Sequence, residues 1–145
     1  MDEILKSPFV TLIFRMIVGT IFIYASIDKI LHPADFAVAI QNYHILPESL
    51  TNITGIVLPW IEIWCGIFLI TGVFSRGAVT LLGGLLAVFL LAMLSAKIRG
   101  LNIACGCFNV SDQTGQISFI DIFMNLILIA MSLHLIIYHS QKLKL

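Results

Sequence analysis

The amino-acid sequence predicts an all-α membrane protein: a bundle of four transmembrane helices, with a short amphipathic interfacial helix between the first and second spans. Three observations carry this expectation. Of the 145 residues, 59% are hydrophobic and only 11% are charged, whereas a soluble domain carries about 25% charged residues. So little polar surface cannot coat a globule in water, and the mean hydropathy of +1.04 agrees. Four stretches, roughly 8–27, 56–74, 78–96 and 117–137, approach the ~20 apolar residues needed to cross a hydrocarbon core. Between the first two lies HPADFAVAIQNYHILPES, which is too mixed to span. The formal net charge is zero, and no basic face exists to neutralise phosphates, so nucleic acid is excluded as a partner. The partner is the lipid bilayer. No repeat, linker or low-complexity segment divides the chain, and residues 1–145 read as one domain.

The elements follow in order. The opening MDEILKSPFVTLIFRM lacks a basic n-region, carries Arg15 inside its apolar run, and is followed by no small-residue cleavage site. It reads as a retained span, not a removed signal peptide. In the next segment Pro33 suits a first helical turn and Asp35 its positive end. Phe36, Ala39, Ile40 and Tyr43 recur at helical spacing and Pro47 stops the run. The expectation is a helix lying at the interface with Tyr43 at headgroup depth, capping the mouth of the bundle. Spans two and three are joined by the tight turn Ser75-Arg76-Gly77 and form an antiparallel hairpin. Four spans put both termini on one side, and segment 28–55 and the loop before the last span on the other. Lys6, Arg76, Lys142 and Lys144 on the first side against Lys29, Lys97 and Arg99 on the second orient the termini to the cytoplasm of a cell's inner membrane.

Each span has a polar or small face. Arg15, Gly19, Phe22, Ser26 and Lys29 share one side of the first span, and Pro59, Glu62 and Gly66 one side of the second, with Cys65 alongside as a packed apolar residue. The third carries Thr80, Gly84, Ala87 and Ser95 in a row, plus the small-xxx-small spacing of Gly83 and Ala87. The fourth shows Ser118, Asp121, Asn125 and Ser132, with His134 near the boundary. These faces are expected to meet at the bundle centre, and Trp60 and Trp64 to form an interface belt. An ionisable group at mid-membrane costs about 2.5–3.5 kcal/mol, so Arg15 and Glu62 require a reason. Either they pair and hold the bundle in register, or they form a proton or ligand site. Asp121 and Asn125 enter from the same boundary as Glu62, so polar groups converge in the half under the last loop.

That loop holds NIACGCFNVSDQ. Cys105 and Cys107, separated by one glycine, can bridge only through a permissive turn. A bond closed this way is strained, relatively oxidising and quick to exchange, and Lys97 and Arg99 nearby favour the thiolate. The competing readings are a metal site completed by His32 and His44, although structural zinc sites typically use wider Cys spacing, and a purely structural role for the thiols.

Taken in order, Arg15 … Gly19, Lys29, Asp35-Phe36, Asn42-Tyr43-His44-Ile45-Leu46-Pro47, Leu58-Pro59-Trp60-Ile61-Glu62, Gly66, Gly72 and Cys105-Gly106-Cys107-Phe108 resemble the MauE branch of the DoxX-like membrane proteins over nearly the whole chain. The resemblance implies a four-helix membrane fold. It implies a link to methylamine utilisation, in which MauE is needed for maturation of a disulfide-rich periplasmic dehydrogenase subunit, and to quinone-dependent chemistry, as in related DoxX-type proteins. By position, Cys105 and Cys107 are then the redox pair, and Arg15, Lys29 and Glu62 the polar bundle signature. Asn109 and Met124 depart from the glycine and arginine that the family often has there. The resulting expectation is a membrane thiol–disulfide oxidoreductase or its accessory. Cys105 and Cys107 serve an extracytoplasmic thioredoxin-like partner or client, and electrons pass to a quinone near Lys29, Asp121, Asn125 and Arg15. Glu62 or Asp121 handles protons. The rival expectation is a non-enzymatic membrane subunit or small-solute binder built on the Arg15/Glu62 interior.

Overall fold

A computed structural model describes residues 1–100 and 119–138. A single-turn helix, α1 (Asp2–Leu5), precedes α2 (Pro8–Leu31), α3 (Pro33–Asn42), α4 (Glu48–Thr71), α5 (Ser75–Ile98) and α6 (Phe119–Tyr138). No strand occurs among the described residues. α2, α4, α5 and α6 are each long and apolar enough to cross a membrane. The chain is therefore a multi-pass membrane protein.

Local chemistry sets the boundaries. The Ser7 hydroxyl accepts from the Phe9 N–H at 3.3 Å and Pro8 occupies the first turn, which together start α2. Pro33, preceded by His32, ends it. Pro47 starts α4, and Gly72 ends it at φ +84°, its N–H donating to the Phe68 carbonyl. That left-handed cap is a conformation glycine adopts without strain. The reversal between the second and third spans therefore falls at Gly72–Phe74, and the expected turn at Ser75-Arg76-Gly77 is instead the first turn of α5. Pro59 lies inside α4 on its buried face.

α2 and α5 run from one end of the bundle, here called proximal, to the distal end, and α4 and α6 return. α2 packs on α4 and α6, and α5 packs on the same two, while the diagonal pairs α2/α5 and α4/α6 stay apart. The arrangement is a square. Val18, Phe22, Leu69, Val79, Leu82, Leu86, Leu128 and Leu135 fill its middle, and Cys65 packs among them as expected. α3 lies chiefly on α4, burying Phe36 and Ala39, and Gly55 allows the approach because a Cβ there would stand 3.2 Å from the Ala37 methyl.

One expectation about the faces changes. The row Thr80, Gly84 and Ala87 on α5 faces outward, not to the centre. Ala78, Val79, Leu82 and Leu86 take the interior, and the Thr80 hydroxyl is satisfied by the Arg76 carbonyl at 2.8 Å. Gly83 does face a neighbour, 3.5 Å from the Ser132 Cβ. Tyr43 is buried, 5% exposed, at the end of α3. His134 is held between the rings of Phe14 and Tyr138, at 5.0 and 4.6 Å. Trp60 and Trp64 are exposed on the outer face of α4.

Candidate functional site

The α2/α4 contact is set by two glycines. A Cβ on Gly19 would sit 3.0 Å from the Gly66 carbonyl, and one on Gly66 3.1 Å from the Gly19 carbonyl. Residues 19 and 66 are therefore level. Counting towards the distal end at 1.5 Å per residue, Lys29 lies about 15 Å beyond that level and Glu62 about 6 Å. Side chains lean towards the N-terminus of their own helix, which carries Lys29 inward and Glu62 outward until they meet. The Lys29 ammonium donates to both Glu62 oxygens, at 3.2 and 2.9 Å, and the two side chains are 2% and 0% exposed. The rings of Phe36 and Phe89 flank the ammonium at 5.1 and 5.4 Å. Two opposite charges are thus neutralised inside the distal half of the membrane span, where either alone would be costly.

Arg15 does not pair with Glu62. It lies about 21 Å proximal to Lys29 along α2, and its Nε donates to the Leu69 carbonyl at 3.0 Å. A Cβ on Gly72 would stand 2.6 Å from its Nη2. The guanidinium therefore covers the C-terminal end of α4, where unpaired carbonyls and the negative end of the helix dipole favour a cation. Its Nη2 finds no hydrogen-bond partner among the described residues.

Asn125 on α6 is 0% exposed, and neither Nδ2 nor Oδ1 has a partner among the described residues. Gly83 and Ser132 fix its depth. Two turns distal of Ser132 is Asn125, and the same step from Gly83 along α5 reaches Leu90, next to Phe89. Asn125 therefore lies level with the ring that flanks the Lys29 ammonium. Asp121 is half-buried, one turn nearer the distal end. The structure thus brings Lys29, Glu62 and Asn125 to one depth and leaves Arg15 apart. Phe89 and the Leu69 carbonyl were not singled out in the sequence, and Phe36 and Gly72 were noted there without these roles. Gly72 carries the usual signal of a helix end, a glycine directly after the last helical residue, Thr71, although the expected span ran past it to residue 74.

Cys105, Cys107 and Ser118 lie outside the described residues. The segment that holds them is joined to the ends of α5 and α6 at the distal end. There the Lys97 ammonium lies 3.7 Å from the Phe119 ring centroid, and Arg99 donates to the Tyr43 carbonyl. His32 Nδ1 is 3.4 Å from Asp28 Oδ1, His44 is exposed at φ +52°, and no group of three or more metal-ligating side chains occurs among the described residues.

Square four-helix packing, apolar outer faces and a self-neutralised ion pair between the first and second spans define an integral membrane protein of four-helix type. The family model for the methylamine utilisation protein MauE matches residues 7–138. The chain belongs to the MauE family. Among the relatives is methylamine utilization protein MauE of Paracoccus denitrificans, 28% identical over 134 residues, which covers 92% of this chain and 72% of the relative. The protein of the same name in Methylorubrum extorquens is 33% identical over 106 residues, 72% of this chain and 57% of that relative. That of Methylophilus methylotrophus is 27% identical over 135 residues, 92% and 71% of the two chains. No solved structure matches.

Proposed function

We propose that this protein supports methylamine utilisation through thiol–disulfide chemistry outside the cytoplasm, with Cys105 and Cys107 as the exchanging pair. The observation that carries the reading is the Cys-Gly-Cys sequence between α5 and α6, two helices whose facing chain ends, Ile98 and Phe119, lie at the same end of the bundle as the buried Lys29–Glu62 pair. In the proposed cycle a client thiolate attacks one sulfur of the Cys105–Cys107 disulfide. The S–S bond breaks, a mixed disulfide forms and the other sulfur leaves as thiolate. A second client thiol resolves the mixed disulfide, so the client gains a disulfide and the pair is reduced by two electrons. A membrane quinone reoxidises the pair, taking two electrons and two protons to become the hydroquinone.

Glu62 or Asp121 passes the protons, and Lys29, Asp121 and Asn125 face the carrier. Arg15, far along the bundle, contributes by fastening the end of α4. The client is a disulfide-bearing or thioredoxin-like protein on the extracytoplasmic side of the inner membrane. Cys107→Ser, or the reciprocal Cys105→Ser, leaves one thiolate that should attack the disulfide of an oxidised client, the exchange run in reverse with the client's other sulfur leaving as thiolate, and accumulate a mixed disulfide that reductant releases, visible as a shifted band on non-reducing gels. Full wild-type support of the pathway by the double Cys105→Ser/Cys107→Ser variant would remove the proposal.

A further inference from the structure

The outer face of α5 is hollowed. Arg76, Thr80, Gly84 and Val88 follow one another at four-residue spacing, and Gly77, Leu81 and Leu85 form the row beside them. Together the two rows line a groove of about 860 Å³. Its glycines keep it open: a Cβ on Gly77 or Gly84 would meet nothing within 4 Å, so no neighbouring helix fills the space in front of them. The Thr80 hydroxyl is spent on the Arg76 carbonyl at 2.8 Å, and the wall of the groove is almost wholly carbon. Only the proximal end carries a charge. Arg76 is exposed in the first turn of α5, and its guanidinium makes no ion pair among the described residues. No side chain caps that helix start, where the positive end of the dipole also favours an anion.

We propose that this groove binds an anionic phospholipid of the proximal leaflet, with the phosphate on Arg76 and one acyl chain laid along Thr80, Gly84 and Val88. Charge and length both fit this occupant. A guanidinium takes a phosphate through two parallel N–H···O bonds. From Arg76 to Val88 is about 18 Å along the helix, close to the ~15 Å that one leaflet contributes to a ~30 Å hydrocarbon core. The far end is not blocked, because Leu85 and Val88 also border a second apolar cavity, of about 170 Å³, that reaches Tyr43 and Phe89. The competing occupant of a face with small residues is a second copy of the chain. A two-fold dimer through this face brings the two Arg76 side chains to one depth on facing helices, where like charges repel. A lipid phosphate supplies the opposite charge that a second copy lacks. The site is at the other end of α5 from the segment that carries Cys105 and Cys107 and does not depend on their chemistry.

The test is lipid retention by purified full-length protein, equilibrated in detergent with equal amounts of phosphatidylglycerol and phosphatidylcholine and read by native mass spectrometry. The parent should retain phosphatidylglycerol in preference, and Arg76→Gln should lower that preference roughly fivefold. Lys6→Gln removes an exposed cation from the same end but outside the groove and should leave the preference unchanged. Gly84→Leu fills the groove and should abolish retention of the lipid. Should Gly84→Leu not fold, Gly77→Leu fills the same groove nearer Arg76 and is read in the same way. The proposal is overturned by a parent without preference, by a preference that Arg76→Gln leaves intact or that Lys6→Gln lowers equally, or by lipid still held once the groove is filled. A lipid-free dimer that Gly84→Leu converts to monomer would assign the face to a second copy and overturn it too.

Discussion

Removing one partner of the Lys29–Glu62 pair is expected to destabilise the bundle far more than removing both. At 2.9 Å and an effective dielectric constant of about 20, the Coulomb attraction is about 6 kcal/mol. The two ring contacts at 5.1 and 5.4 Å add on the order of 1–2 kcal/mol each when desolvated. Against this stands a desolvation penalty of several kcal/mol per ion, so the intact pair is close to neutral relative to apolar residues of the same volume. A stranded partner retains the penalty and loses the attraction. Lys29→Met and Glu62→Gln should therefore each lower stability by about 3–5 kcal/mol, and Lys29→Met/Glu62→Leu should recover most of that loss. Reversible unfolding followed by helical circular dichroism in mixed micelles reads all the variants. The reasoning is refuted if the single variants stay within about 0.5 kcal/mol of the parent, or if the double variant loses the sum of the two.

Two further substitution sets follow from close contacts. Gly72→Ala combines a residue at φ +84° with a Cβ 2.6 Å from Arg15 Nη2 and should cost about 1–3 kcal/mol in the same unfolding measurement. Adding Arg15→Ala should relieve only part of that loss, and complete recovery would show that backbone strain is not involved. Gly66→Leu should force α2 and α4 apart, since a Cβ there already meets the Gly19 carbonyl at 3.1 Å. Gly84→Ala meets nothing within 4 Å and should gain up to about 1 kcal/mol from helix propensity. A loss at Gly84 comparable with that at Gly66 would contradict the outward placement of the α5 small-residue row.

The spans were legible because length and apolarity alone determine them, and the buried face of α2 because Arg15, Gly19, Phe22, Ser26 and Lys29 recur at helical spacing. Helix α5 was not legible in the same way. It is apolar nearly all round, so periodicity carries little information about which side is inside, and Val79, Leu82 and Leu86 fill the centre where the small residues were expected. The partner of Glu62 was misassigned because the first span was expected to end near residue 27, which put Lys29 in the segment beyond it, whereas α2 runs to Leu31 and buries Lys29, and depth decides the pairing. Residue 66 is level with residue 19, which puts Glu62 within reach of Lys29 leaning inward and beyond reach of Arg15. Gly72 was visible as a glycine, yet its role depends on the guanidinium packed where a side chain would stand. Asn125 was placed on the correct stripe by spacing, but its lack of partners among the described residues emerges only from three-dimensional packing.

The proposed exchange chemistry is tested most directly by the redox state and sidedness of Cys105 and Cys107 in intact cells, read by a membrane-impermeant thiol reagent with and without prior reductant. The account predicts labelling of both residues from outside the unbroken cell, strongly increased by reductant, because the pair resides partly as a disulfide. Labelling that requires permeabilised cells and is unchanged by reductant would place reduced thiols on the cytoplasmic side and contradict it.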